Sequence, residues 1–180
     1  MSVNVPENRR ARKWSRREQF GRLLWGCAWP FFRLSPRLLW GWRCWLLRVF
    51  GARVARHVHV YPTVRITMPW NLELEDSCAV GERAILYALG PIRIGARATV
   101  SQGVHLCAGT HDIRDPSRPL LKPPISIGND AWICADAFIG PGVIVGDSAI
   151  VGARAVVMKS IPAHCIIAGN PARKIGSTEP

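Results

Sequence analysis

The sequence predicts an all-β solenoid: a parallel β-helix of hexapeptide repeats, with an N-terminal helical extension and an extruded loop. Three observations predict it. An aliphatic residue returns every sixth position at Ile94, Val100 and Leu106, then at Ile127, Ile133, Ile139, Val145, Val151 and Val157. Gly follows that residue at 95, 128, 140, 146 and 152. Ala stands two places before it at Ala98, Ala131, Ala137, Ala149 and Ala155. A long fixed period marks a repeat architecture. A helix repeats apolar residues every three or four positions and a half-buried strand every two, and the glycines weaken a long helix. A triangular coil accommodates the six-residue beat. Each hexapeptide forms one flat side, three sides close a coil, and the beat residue points inward. Successive coils stack at the ordinary strand spacing of about 4.8 Å. A fainter copy of the beat runs through Leu74, Val80 and Leu86. Together these positions make about four coils, each stabilised by its neighbours. Gly is expected at the corners, in conformations that a Cβ disfavours.

Taken in order, residues 1–56 form a basic, Trp-rich helical extension, residues 57–162 the β-helix with its loop at 107–126, and residues 163–180 a C-terminal tail. A chain of 180 residues holds one domain plus an extension. The net charge of +12 is unevenly placed. Residues 1–60 carry thirteen Lys and Arg against Glu7 and Glu18, whereas 61–180 carry eleven against ten acids. Six of the eight Trp also lie in the first third, at 14, 25, 29, 40, 42 and 45.

Residues 15–50 read as two short helices broken near Pro30 and at Ser35–Pro36. They suit a cap over the open end of the solenoid, where strand edges need covering. They also suit peripheral contact with an anionic membrane face, with Trp at the interface and Arg near phosphate. No nucleic-acid partner is expected, because no recognised nucleic-acid fold accompanies the charge. The six Cys show no CxxC or zinc spacing and read as small buried residues in a reducing compartment. The run Leu38–Val49 is broken by Arg43 and Arg48, too short to span a bilayer, and no secretory signal stands out. The expected location is cytoplasmic, with the membrane's inner face as a peripheral site.

The beat breaks between Leu106 and Ile127. The interval CAGTHDIRDPSRPLLKPPIS is polar and holds four prolines, so it leaves the prism as a loop. Loops on a rigid scaffold commonly carry function. His111 stands at the base of this loop, close in sequence to Asp112, Arg114, Asp115, Arg118 and Lys122. His is the side chain best suited to move a proton near neutral pH.

The segments ISIGNDAWICADAFIGPGVIVGDSAIVGARAVVMKSIP at 125–162, AGNPARKI at 168–175 and VSQGVHLCAGTHDIRDPSRPL at 100–120 resemble the hexapeptide-repeat acyltransferases. Within them the resemblance is to the sugar O-acetyltransferase branch of colanic-acid and exopolysaccharide biosynthesis. It covers roughly residues 20–175. It implies a left-handed coil, a homotrimer and direct acetyl transfer from acetyl-CoA, without a metal, to a hydroxyl of a sugar or glycan acceptor. By motif match His111 is the general base. Trp132 and Ala135 line the pantetheine path, with Ala153, Met158 and Lys159 further along the coenzyme. Arg173 meets its phosphate-bearing end. Tyr87 faces the acceptor, and Asp112 either orients His111 or binds a sugar hydroxyl. Cys134 and Ala135 follow the WI pair where the family often has Ser or Gly, and Met158 replaces a Thr or Ser. A backbone contact at 135 is therefore expected rather than a side-chain one. Ala88 stands where the branch often has Asn, so acceptor preference is expected to differ.

Two alternatives remain at this level. One is a catalytically silent scaffold in a glycan-assembly complex. The other is a zinc carbonic anhydrase on the same prism, which needs three His around one metal. The His at 57, 59, 105, 111 and 164 are spaced poorly for that. An amine acceptor also remains open.

Overall fold

The computed structural model describes residues 5–179. Residues 1–4 and 180, at the limits of the first and last sequence segments, lie outside the described residues. Three helices come first: α1 (Val5–Arg10), α2 (Arg16–Arg33) and α3 (Trp40–Val49). α2 begins with a capping box. The Glu18 N–H donates to Ser15 Oγ at 3.1 Å, and the Ser15 N–H donates to the Glu18 carboxylate at 2.7 Å. The break expected near Pro30 does not occur. Pro30 lies in the last turn of α2, where the ring forfeits a single helical bond before the helix ends anyway. The chain turns only between Leu34 and Leu39.

The prism then winds in chain order. Its first coil is β1 (Arg53–Val54), β2 (His59–Val60) and β3 (Arg65–Ile66). The second is β4 (Leu72–Leu74), β5 (Ala79–Val80) and β6 (Ile85–Tyr87), and the third β7 (Ile92–Ile94), β8 (Thr99–Val100) and β9 (His105–Cys107). A ribbon of β10 (Thr110–His111) and β11 (Leu120–Leu121) intervenes. The fourth coil is β12 (Ile125–Ile127), β13 (Trp132–Ile133) and β14 (Phe138–Ile139), and the fifth β15 (Ile144–Val145), β16 (Ile150–Val151) and β17 (Val156–Val157). β18 (Cys165–Ala168) starts a sixth coil, and β19 (Arg173–Ser177) folds back on it antiparallel. Corresponding strands pair in parallel into three flat sheets, β1-β4-β7-β12-β15, β2-β5-β8-β13-β16-β18 and β3-β6-β9-β14-β17. We call them faces A, B and C. Ile94, Val100, Leu106, Ile127, Ile133 and Ile139 are wholly buried along the axis. Each such burial contributes about 1.5–3 kcal/mol.

The prism is longer than the beat suggested: five coils and part of a sixth, instead of about four. Parallel pairing starts at Arg53 and reaches Ile167, so it is also wider than 57–162. The reason is a change of step. From Ile66 to Leu74 and from Leu86 to Ile94 the interval is eight residues, which puts the first coils out of phase with the rest. The extra residues enlarge two stacked corners between faces C and A. The Asn71 amide ties these corners together, donating to the carbonyls of Ala88 at 2.9 Å and Leu89 at 3.0 Å.

The role expected of Gly also needs correction. The left-handed corner residue stands three places before the beat, and it is mostly not Gly. Ser77, Arg83, Arg97, Asp130, Asp136, Ser148 and Arg154 all have φ between 54° and 59°, while Gly fills the position at 51, 103 and 142. The cost is about 1–2 kcal/mol per residue, offset by a hydrogen bond to the coil before. The N–H of Arg97 donates to Asp76 O, of Asp130 to Ala96 O and of Arg154 to Ala135 O, each at 2.9 Å. The Gly after the beat serves a different need. A Cβ at Gly95 would lie 2.7 Å from the backbone of Gly128 and Asn129, and one at Gly128 2.6 Å from the backbone of Gly146 and Asp147. Only hydrogen fits where the next coil passes.

The helices close the first coil. Its edge carbonyls accept from side chains of α2 and α3. Trp25 Nε1 donates to Ile66 O at 2.8 Å, Arg43 Nε to Val60 O at 2.6 Å and Cys44 Sγ to Val58 O at 3.3 Å. Arg48 donates to Val54 O at 2.9 Å and Ala55 O at 2.7 Å. Arg43 is wholly buried without a carboxylate partner among the described residues. Its other donors reach Ser35 Oγ at 2.9 Å, Pro36 O at 2.8 Å and Arg37 O at 2.6 Å. Burial pulls its pKa down from the ordinary Arg value. Trp25, Phe32, Leu46 and Leu47 extend the hydrophobic core from beneath this cap.

Candidate active site

The loop leaves the enlarged corner between faces C and A. Its base is clamped against residues 87–91. Gly90 N–H donates to Ala108 O at 2.8 Å, and Ile125 N–H to Pro91 O at 2.9 Å. β10 and β11 then run as an antiparallel pair with His111 opposite Leu120. His111 is exposed. Its Nδ1 lies 2.7 Å from the carbonyl oxygen of Arg118. A carbonyl only accepts, so Nδ1 carries the proton and Nε2 keeps a free lone pair. Arg118 itself sits at φ 45°, in the left-handed region. The turn leading to it is held by Asp115, whose carboxylate accepts from Ser117 N–H at 2.7 Å and whose carbonyl accepts from Arg118 N–H at 2.9 Å.

Of the two roles considered for Asp112, orienting His111 is not the one its side chain performs here. Its Oδ1 accepts from Arg114 N–H at 2.9 Å, and the Arg118 carbonyl orients the imidazole. Tyr87 shares the corner with His111. It pairs opposite Cys107, and a Cβ at Gly109 would come within 3.2 Å of its ring. Ala88 beside it is wholly buried. Its methyl therefore packs into the prism and presents nothing to an acceptor. His105 lies edge-on between Tyr87 and Phe138. Burial lowers its pKa, and its Nε2 has no hydrogen-bond partner among the described residues. Burial pushes the Cys107 and Cys134 thiols up, which disfavours the thiolate that an acyl-cysteine route would need.

The residues expected along the coenzyme fall on the side of the prism and at its C-terminal end. Trp132 is half exposed on face B, its Nε1 donating to Ser101 Oγ at 2.9 Å. Ala135 and Ala153 stack one coil apart at the corner between faces B and C. Lys159 follows β17 at the corner between faces C and A, the edge from which the loop emerges. At the C-terminal end of the prism Lys159 and Arg173 line one cavity of about 350 Å³ with Met158, Ser160, Pro171 and Lys174, and its wall draws on β17 and β18 as well. No carboxylate lines that cavity. Within one chain, Trp132, Ala135 and Ala153 do not line it. Sequence reasoning missed Lys174 and Ser160 as its neighbours, and missed the Arg118 carbonyl altogether. A backbone acceptor carries no residue-type signal. Among the described residues no three His, Cys, Asp or Glu gather as a metal site.

Comparison with known proteins identifies the family and the fold. Residues 124–159 match the model of the bacterial transferase hexapeptide (six repeats). WcaF of Escherichia coli (strain K12) carries the name of a colanic acid biosynthesis acetyltransferase. It is 44% identical over 150 residues, covering 83% of this chain and 82% of WcaF. The chain therefore belongs to the hexapeptide-repeat acetyltransferases, and more closely it groups with the WcaF-type members. It is an acetyl-CoA-dependent acetyltransferase, and the silent-scaffold reading falls away. Two solved structures share its fold. A hexapeptide-repeat acetyltransferase of Vibrio cholerae, complexed with acetyl coenzyme A, superposes with a TM-score of 0.85 at 21% identity, over 94% of this chain and 93% of that one. A galactoside acetyltransferase in complex with coenzyme A gives 0.83 at 23% identity, over 99% and 92%. At these identities the likeness carries the fold: a left-handed parallel β-helix.

Proposed function

We propose that this acetyltransferase moves the acetyl group of acetyl-CoA to a hydroxyl of a sugar, in exopolysaccharide or lipid-linked glycan assembly, with His111 as general base. The observation that carries the proposal is the Nδ1–H···O=C bond to Arg118. It leaves Nε2 on the open side of the loop as the proton acceptor. A sugar hydroxyl is too weak an acid to attack a thioester unaided near pH 7. Nε2 takes its proton as the oxygen adds to the acetyl carbonyl. The tetrahedral oxyanion collapses, the carbon–sulfur bond breaks, and the imidazolium returns the proton to the leaving thiolate. Ester and free coenzyme A thiol result. Backbone N–H groups are the donors available to an oxyanion at such a site.

The test is thiol release from acetyl-CoA against a panel of sugars, amino sugars and glycan lipids. His111→Ala should lower acceptor-stimulated release by about 10²-fold or more. Undiminished release in the variant would refute the base assignment. Stimulation by amino sugars alone would move the acceptor from hydroxyl to amine.

A homotrimer belongs to the same reading. Trp132, Ala135 and Ala153 lie outside the cationic cavity at the prism's end, and Trp132 is half exposed on face B. A neighbouring copy packed alongside would give a pantetheine arm on these residues its second wall, and that supports the trimer. A solution mass near that of a single 20.0 kDa chain would remove this support.

Membrane contact through the extension belongs to the same proposal. α2 has an exposed apolar stripe of Phe20, Leu23, Leu24, Phe31 and Leu34. It continues through Leu38, Trp42, Trp45 and Val49 around α3. Trp42 Nε1 donates to Phe31 O at 3.2 Å and joins the two stripes. Arg16, Arg17, Arg33 and Arg37 flank them, and Glu18 is the sole acid in α2 and α3. Such a face suits the inner, anionic leaflet, which agrees with a cytoplasmic enzyme acting on lipid-linked acceptors. No helix among the described residues is long and apolar enough to cross a membrane. Cosedimentation with phosphatidylglycerol vesicles at low salt, lost in Phe31→Ser/Trp45→Ser, is the expected result. Indifference of the intact chain to such vesicles would sink the idea.

A further inference from the structure

We propose that Asn8, far from the loop in sequence, is a positioning residue for His111, acting through the Arg118 carbonyl. The inference rests on the reading of His111 as base. Asn8 lies in α1, in the arm that precedes the cap. Its side-chain amide donates to Arg118 O at 2.6 Å and to Ser117 O at 2.7 Å. Arg118 O is also the acceptor for His111 Nδ1. A carbonyl oxygen has two lone pairs, and here both have a donor. Both amide hydrogens of Asn8 are likewise used. Its Oδ1 is occupied too, accepting from Lys13 Nζ at 2.7 Å.

The arm grips the loop at a second point. Lys122, just past β11, donates to Lys13 O at 3.2 Å, pairs with Glu18 at 3.7 Å and sits 4.0 Å over the Trp14 ring. Residues 8 to 18 thus embrace the ribbon from Ser117 to Lys122. Arg118 needs such support, because its left-handed φ of 45° is unfavourable for a residue with a Cβ. Left free, the turn would relax and swing the carbonyl away from Nδ1. The imidazole would then exchange tautomers, and Nε2–H would be populated at the expense of the base form.

The test uses the full chain labelled with [15N]histidine and compares wild type, Asn8→Asp and Asn8→Ala. Asn8→Asp keeps the shape and strengthens the contact to Lys13, but it turns an oxygen toward two carbonyls. The His111 nitrogen shifts, assigned by their loss in His111→Ala, report the tautomer. In wild type the Nδ1–H form should dominate. In Asn8→Asp the Nε2–H form should appear and kcat should fall about tenfold or more, as misplaced catalytic groups do, while KM for acetyl-CoA stays within about twofold. Asn8→Ala should shift both in the same direction by less, and it serves alone if Asn8→Asp does not fold. A wild-type tautomer in the folded variants overturns the inference, whether or not kcat falls. Full activity in His111→Ala would instead overturn the base assignment, and the tautomer would still report on the arm.

Discussion

The two ends of the prism meet the same difficulty in different ways. At the N-terminal end the edge carbonyls of Val54, Ala55, Val58, Val60 and Ile66 accept from side chains of a separate helical layer. At the C-terminal end the chain uses its own backbone: β19 doubles back and pairs with β18, from Cys165 opposite Ser177 to Ala168 opposite Arg173. The first solution needs long donors, hence Arg43, Arg48 and Trp25. The second needs only a turn at Gly169–Ala172. Part of the basic, Trp-rich character of the first third is therefore architectural. Arg43 and Arg48 hold carbonyls of the first coil, and the cations left for a partner lie elsewhere on the helices.

If this contrast is right, Arg43→Ala has the largest effect. It strands Val60 O beneath the cap and removes the donor that ties Ser35 Oγ, Pro36 O and Arg37 O together. Chemical denaturation should show a loss of about 3 kcal/mol or more. A loss below about 1 kcal/mol would mean that side-chain donors do not hold this end. Trp25→Phe keeps most of the packing and removes one buried donor, so about 1–2 kcal/mol is expected by the same measurement.

A thiol probe compares the ends directly. Cys44 is buried under the helical cap and Cys165 beneath β19. Burial pushes the Cys44 thiol up, and that of Cys78 one coil deeper up to about 12. With native protein at pH 8, exposed Cys27 should react with a maleimide first, and of the two end cysteines Cys165 should react before Cys44, through fraying of the exposed β19. Cys44 reacting ahead of Cys165 would reverse the ranking of the two closures.

His105, midway along the prism, gives the smallest effect and serves as a control on both ends. Its folded pKa lies below the ordinary value of 6.5. The unfolded chain therefore takes up the proton first as pH falls. Stability contributed by neutral His105 is present above about pH 6.5 and declines as pH drops through and below that value. Thermal melts of His105→Gln between pH 7.5 and 5.5 should lose part of the acid sensitivity of wild type. Identical slopes would exclude His105 as its source.

These regions also differ in how far they could be read from the residues. The interior was legible because it selects side chains by size at a fixed interval, and the loop because four prolines and a run of polar residues cannot continue that interval. The first coil was hidden by two eight-residue steps that shift the phase without changing composition. The corners were misread because two constraints lie close together. At Gly95, Gly128 and Gly146 hydrogen alone fits after the beat, whereas left-handed geometry falls three places before the next one and admits Arg, Asp and Ser. Arg43 reads in the sequence only as a break in an apolar run, since no local pattern separates a buried guanidinium bonded to carbonyls from a solvated one. At the site, His111 stood out by residue type. The Arg118 carbonyl and the reach of Asn8 depend on contacts more than a hundred positions apart.

That separation has a consequence for the order of synthesis. Asn8 leaves the ribosome 110 residues before Arg118. At about 5–20 residues per second, the arm waits about 5–20 s for the loop it is to hold. Through that interval α1 has no ribbon to grip, and the packing faces of α2 and α3, with Trp25, Phe32, Leu46 and Leu47, emerge before any coil exists for them to cover. The nascent chain is thus most adhesive at its start, and the proton acceptor is set only after three coils have wound.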